Sequence, residues 1–125
     1  MARIYKIPLP FTLSFILILA NFMKATELNQ LKAFLSEQRK VVITTHKGPD
    51  GDAMGSSLAL YNYLLKKGHL VHVITPNDYP SFLKWMKGDE DVIEYCYHQE
   101  KAKKITESAE LIFCLDFNTM SRIDT

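Results

Sequence analysis

Apolar and polar positions follow two different periods along this chain. Between residues 26 and 38, Leu28, Leu31, Phe34 and Leu35 recur at helical spacing, which predicts a helix capped by Thr26. "VVITT", residues 41–45, is a β-branched run suited to a buried strand. "MGSSLALYNYLLKKG" returns to the helical period, with Leu58, Tyr61, Leu64 and Leu65 on one face and Gly68 as the stop. "LVHVIT", residues 70–75, predicts a second strand. Pro80 is placed to open a short helix holding Phe82, Leu83, Trp85 and Met86, which Gly88 would end. That spacing assigns Phe82, Trp85 and the preceding Tyr79 to core packing rather than to stacking on a base. "VIEYC" reads as a short edge strand, "HQEKAKKITESA" as an exposed helix, and "LIFCLD", residues 111–116, as a third strand.

Strand, helix, strand, helix, strand predicts an α/β domain with a mainly parallel sheet and right-handed crossovers. Ligands of such sheets bind beyond the carboxyl ends of the strands. His46 directly follows the first predicted strand and Asp116 terminates the third. Both therefore fall on the ligand side.

Composition narrows the partners. The chain has 125 residues, with 15 basic and 14 acidic side chains. That balance argues against a broad electrostatic nucleic-acid surface, yet leaves room for a small anion in a local pocket. Cys96 and Cys114 form no CxxC pair, and Cys114 lies in an apolar run, so a reduced, cytoplasmic protein is expected. The N-terminus departs from this picture. Residues 7–23 carry no charge and follow Arg3 and Lys6, as the start of a secretory signal or anchor would. Residues 11–20, the most apolar part, fall short of the about 20 residues a bilayer requires. "MKATELNQLKAF", from Met23, reads as a cytosolic start. Residues 1–22 are therefore expected to be an apolar extension, by a misassigned start codon or as a signal or anchor, and residues 23–125 the domain. Membrane association or export depends on residues 7–23 acting as that anchor.

The chemistry concentrates in "HKGPDGDAMGSS", residues 46–57. Pro-Asp-Gly is a turn signature in its own right, and Asp52 could simply cap the helix that follows. Against this, His46, Asp50 and Asp52 form an imidazole-carboxylate set suited to Mn²⁺ or a similar ion, and Asp116 arrives at the same sheet end from another strand. Gly51 lets the backbone fold so that neighbouring acids face one cavity. The amides around Met54 to Ser57 are expected to lack intrahelical acceptors and to face a phosphate, with Gly55 permitting close approach and Ser56 and Ser57 offering hydroxyls. Small residues here would equally ease packing of the helix on the sheet. A Walker A pattern is absent.

"VVITTHKGPDGDAMGSSLALYNYL" resembles the first motif of the DHH phosphoesterases, in the branch of bacterial oligoribonuclease/PAP phosphatases (nanoRNases), and "LIFCLDFN" resembles the second. The resemblance runs from about Met23 to Thr125. It implies a Rossmann-like α/β sheet flanked by helices, the N-terminal part of a DHH domain. It further implies His46 and Asp50 on one Mn²⁺, Asp52 on a second, and Asp116 bridging both. Short RNA or 3′-phosphoadenosine 5′-phosphate would be the substrate, and no stable protein partner is implied. The Asp-His-His triplet that names the family is missing, since the chain holds only His46, His69, His72 and His98 and no adjacent pair. These residues alone are therefore expected to be an incomplete, weakly active or inactive enzyme. A non-catalytic nucleotide- or phosphate-binding domain is the alternative. His69 and His72 fit core or surface roles, His98 the start of a helix, and Lys101, Lys103 and Lys104 a solvated face. Arg122 reads either as a phosphate contact or as a surface arginine.

Overall fold

A computed structural model describes residues 2–5, 16–18 and 24–123 of the chain. Its strands are β1 (Ala2–Tyr5), β2 (Ile16–Ile18), β3 (Lys40–Thr44), β4 (Leu70–Thr75), β5 (Ile93–Glu94) and β6 (Leu111–Leu115). The helices are α1 (Ala25–Phe34), α2 (Gly51–Lys66) and α3 (Gln99–Ser108). The strands form one sheet in the order β2-β1-β6-β3-β4-β5. Its four strands β6, β3, β4 and β5 run parallel, as the alternation of strands and helices predicts. Strands β1 and β2 extend it antiparallel from the β6 edge, with Ala2 opposite Leu115 and Arg3 opposite Ile18. Part of the N-terminal extension thus joins the sheet, while the rest of residues 7–23 lies outside the described residues. Among the described residues, no helix is long and apolar enough to cross a membrane.

Strand β3 lies between β4 and β6, with Val41 opposite both Val71 and Leu111. Its side chains alternate between two apolar layers, as the pleat requires. Val41 and Ile43 pack with Met54, Leu58, Tyr61 and Leu64 of α2. Val42 packs with Ile74, Ile93 and Ala102 on the α3 side. Burying the strands on both faces is what holds the carboxyl ends of β3, β4 and β6 at one rim.

Several local expectations are corrected. The first helix ends at Phe34, not residue 38, and Thr26 lies inside it. Its N-terminus is closed instead by Glu27, whose carboxylate accepts the Lys24 N–H at 3.0 Å. Leu28 and Leu65, expected on buried stripes, are exposed, whereas Leu31, Phe34, Leu58 and Leu64 pack inward. Pro80 opens only a 3₁₀ turn, Ser81–Leu83. In and around it Tyr79 and Leu83 are buried, but Phe82 is 72% and Trp85 80% exposed, so core packing does not account for those two rings. Cys114 is a buried free thiol, as its apolar run predicts, and Cys96 is exposed.

Candidate metal centre

The site is assembled by three strand ends. β3 runs into Thr45 and His46, β4 into Asn77, and β6 into Asp116. His46 is 5% exposed. Its Nδ1 lies 2.8 Å from the Lys47 carbonyl oxygen, which can only accept, so Nδ1 carries a proton. Its Nε2 faces the carboxylates of Asp116, at 3.4 Å, and Asp50, at 3.8 Å. One ligand atom from each of His46, Asp50 and Asp116 lies within 4.8 Å of the others. Atoms held about 2.1 Å from a common ion in tetrahedral or octahedral geometry lie roughly 3.0–3.4 Å apart, and His46 Nε2 and Asp116 Oδ2 stand 3.4 Å apart. The donor set, one imidazole nitrogen with carboxylate oxygens, suits a divalent cation of the Mn²⁺ or Zn²⁺ type. The backbone carbonyl behind the imidazole provides the outer bond that fixes a ligating histidine.

Asp50 is the N-cap of α2, and the expectation that Asp52 fills that position is corrected. The helix begins three residues before Met54, because Gly51 takes helical geometry directly after the cap. Asp50 Oδ1 accepts the Ala53 N–H at 3.0 Å, and its Oδ2 is the oxygen that faces His46. The Ala53 N–H lowers the pKa of Asp50 most, with His46, Asp116 and the Asp52 N–H acting in the same direction, against slight burial. The carboxylate is therefore held ionised below its ordinary range.

The early start of α2 also overturns the expected phosphate cradle of amides around Met54 to Ser57. The Met54 N–H donates to the Asp50 carbonyl at 3.0 Å, and the amides after it lie in the helical ladder. Ser56 Oγ is engaged with the Asp52 carbonyl at 2.7 Å. Ser57 is fully buried, and its Oγ lacks a partner among the described residues. Gly55 is partly buried with open space where a Cβ would stand. Asp52 is exposed on the first turn of α2 and is not among the three converging ligands. Arg122 has an exposed side chain, and its backbone carbonyl accepts the Lys47 N–H at 2.8 Å.

Two supports escaped the sequence. Asn77 Oδ1 accepts the Gly48 N–H at 2.7 Å, pinning the loop between His46 and Asp50. Gly48 has φ +65°, open to glycine at no steric cost. Asn77 follows a strand on the ligand rim, and that position was the available signal. Asp116 itself has φ 63°, a left-handed conformation that Asp tolerates better than most residues. The turn it makes redirects the chain at the end of β6, beside His46. His69 is buried, its Nδ1 accepting the Arg39 N–H at 3.2 Å, and His98 stands at the N-cap of α3, so neither joins the centre. A cavity of about 460 Å³ opens on the α3 side between Val42, Ile74, Tyr95, Ile112 and Met120. None of the four proposed ligands lines it.

Residues 40–125 match the DHH family, N-terminal domain. Over 83 residues the chain is 34% identical to the bifunctional oligoribonuclease and PAP phosphatase NrnA of Thermus thermophilus, covering 66% of this chain and 23% of that protein. The crystal structure of an exopolyphosphatase-related protein from Bacteroides fragilis is similar with a TM-score of 0.77 at 40% identity, covering 85% of this chain and 31% of that one. The chain thus spans 23% and 31% of the lengths of these two relatives.

Proposed function

The chain belongs to the DHH family, and on that premise we propose that it is the metal-bearing part of a phosphoesterase in which His46, Asp50 and Asp116 hold Mn²⁺. The convergence of those three ligand atoms within 4.8 Å carries this reading. Asp52, on the adjoining helical turn, would serve a second ion, with Asp116 shared. Short oligoribonucleotides and 3′-phosphoadenosine 5′-phosphate are the proposed substrates, in keeping with the name of the Thermus thermophilus relative. When bound, such ions supply positive charge to the phosphoryl oxygens and acidify the attacking water. The protein's part is positional. Lys47 fixes the imidazole tautomer, Ala53 fixes Asp50, and Asn77 fixes the loop between them. The chain contains no adjacent histidine pair, so hydrolysis by these 125 residues is expected to be slow or absent.

Calorimetric titration with Mn²⁺ tests the centre. Asp116→Asn is expected to weaken binding about tenfold or more with the fold retained. Equal affinities would remove Asp116 from the ligand set. Assay of an RNA dinucleotide with Mn²⁺ tests the second expectation, and turnover on the order of 1 s⁻¹ or faster would overturn it. Nucleotide bound equally well in the presence of a chelator would instead favour a binding domain that needs no metal.

A further inference from the structure

We infer that the Arg122 guanidinium is the anion-binding group of the candidate metal centre, taking the oxygens of a substrate phosphate at the rim beside His46. This rests on the phosphoesterase reading proposed above, and it assigns that recognition to charge rather than to a base.

One residue ties Arg122 to the centre. The Lys47 N–H donates to the Arg122 carbonyl at 2.8 Å, and the Lys47 carbonyl oxygen stands 2.8 Å from His46 Nδ1. The Lys47 nitrogen belongs to the peptide bond that His46 begins. The Arg122 carbonyl is therefore hydrogen-bonded to the backbone of a proposed ligand. The chain between Asp116 and Ile123 is held at other points as well. Phe117 is 2% exposed. Met120–Arg122 is a 3₁₀ turn. Its bonds are Arg122 N–H to the Thr119 carbonyl at 3.2 Å and Ile123 N–H to the Met120 carbonyl at 3.1 Å. Residues three apart share a face in such geometry. Met120 and Ile123 take that face and line the cavity on the α3 side. Arg122 lies off it, with its side chain exposed.

The backbone of Arg122 is thus fixed, while its charge is not used inside the fold. The other cations show the contrast. Arg39 is paired with Glu37 and Glu110, and Lys84 with Asp78 and Glu94. Among the described residues, no carboxylate pairs with Arg122. A guanidinium presents its donors in a planar fork that matches the oxygens of a phosphate. The centre beside it is open to such a ligand, since the Asp50 and Asp116 side chains are 61% and 35% exposed. Those carboxylates repel an approaching phosphate, and a cation at the same rim that no acid of the fold neutralises offsets part of that repulsion.

The bond to Lys47 uses the Arg122 carbonyl, so substitution of the side chain leaves the turn in place. Inorganic phosphate, which has no base, would be titrated by calorimetry into the chain saturated with Mn²⁺ and into the chain with a chelator. Arg122→Ala is expected to weaken phosphate binding about tenfold or more, the order of one charge-assisted contact, while Mn²⁺ affinity stays that of the parent. Arg122→Lys keeps the charge and loses the fork, and its phosphate affinity is expected to fall between the two. Equal phosphate affinity in the parent and Arg122→Ala would overturn the inference, as would no phosphate response of the Mn²⁺-loaded parent at millimolar concentration. Mn²⁺ affinity that falls in parallel with phosphate affinity in Arg122→Ala would give the side chain a structural role and overturn it equally. Phosphate binding that depends on Arg122 in a chain that takes up no Mn²⁺ would uphold the inference and sink the metal reading alone. Mn²⁺ uptake with phosphate binding indifferent to Arg122 would sink the inference and leave the metal reading standing.

Discussion

Asp50 divides its two carboxylate oxygens between two tasks, closing α2 through Oδ1 and facing His46 through Oδ2. The two tasks can be separated. Asparagine is as good an N-cap as aspartate but a poorer cation ligand. Asp50→Asn is expected to keep the denaturation midpoint while losing Mn²⁺ affinity, whereas Asp50→Ala loses the affinity and also about 1 kcal/mol of stability. Equal stability of the two variants in urea would mean that the cap contributes nothing. Sequence alone posed cap and ligand as rival roles for the acids of this loop. Only the fold shows one side chain capping the helix through one oxygen and facing His46 with the other, because the direction of each oxygen depends on where the helix begins. A second residue-scale expectation concerns Gly88. Its φ is +96°, and a Cβ there would approach the Tyr61 ring to 2.9 Å. Gly88→Ala should destabilise the fold by about 1–3 kcal/mol, read as a lower midpoint in thermal unfolding.

At the scale of elements, strands β3, β4 and β6 were legible because β-branched and apolar runs bounded by turn residues leave few alternatives. The 81–86 turn was not. Four apolar residues in six suggested a helix with one buried face, but only a single 3₁₀ turn forms, Ser81–Leu83, and Phe82 and Trp85 stay exposed. The junction of α1 with the sheet was equally hidden. Arg39 donates to the Phe34 carbonyl at 2.9 Å and to Glu110 at 3.0 Å, and its guanidinium stacks 4.2 Å from the Phe34 ring. Glu110 also accepts the Lys40 N–H at 2.9 Å, joining the starts of β3 and β6. Burial raises the pKa of Glu110, but the Lys40 N–H and Arg39 together outweigh it and the value falls below the ordinary glutamate range. A depressed carboxylate stabilises the fold above its unfolded value, about pH 4.3, and that stability is lost as the pH falls through the lower folded value. Stability measured in urea should therefore decline through this window in the parent and decline less in Glu110→Gln. Parallel acid profiles would rule out the junction as a source of stability.

At the scale of the whole molecule, a site drawn from β3, β6 and the start of α2 should couple metal binding to folding. Mn²⁺ at a hundredfold excess over its dissociation constant is expected to add about 2.7 kcal/mol, raising the melting temperature on the order of 10 °C. Asp116→Asn should cut that rise to about half or less at the same Mn²⁺ concentration, and an undiminished shift in the variant would place the ion elsewhere. What the sequence by itself determined was the parallel α/β character, the positions of three strands, and the gathering of His46 and Asp116 on the ligand side of the sheet. These follow from local periodicity and from the handedness of crossovers, which depend on neighbouring residues and on chirality. What only the tertiary structure decided was the adjacency of β3 and β6, whose paired residues Val41 and Leu111 lie far apart in the chain. It also decided that Asp50 Oδ2 faces His46, and that Phe82 and Trp85 are exposed. Those depend on which faces bury against which, a choice made by the packing of all layers together and written in no single segment.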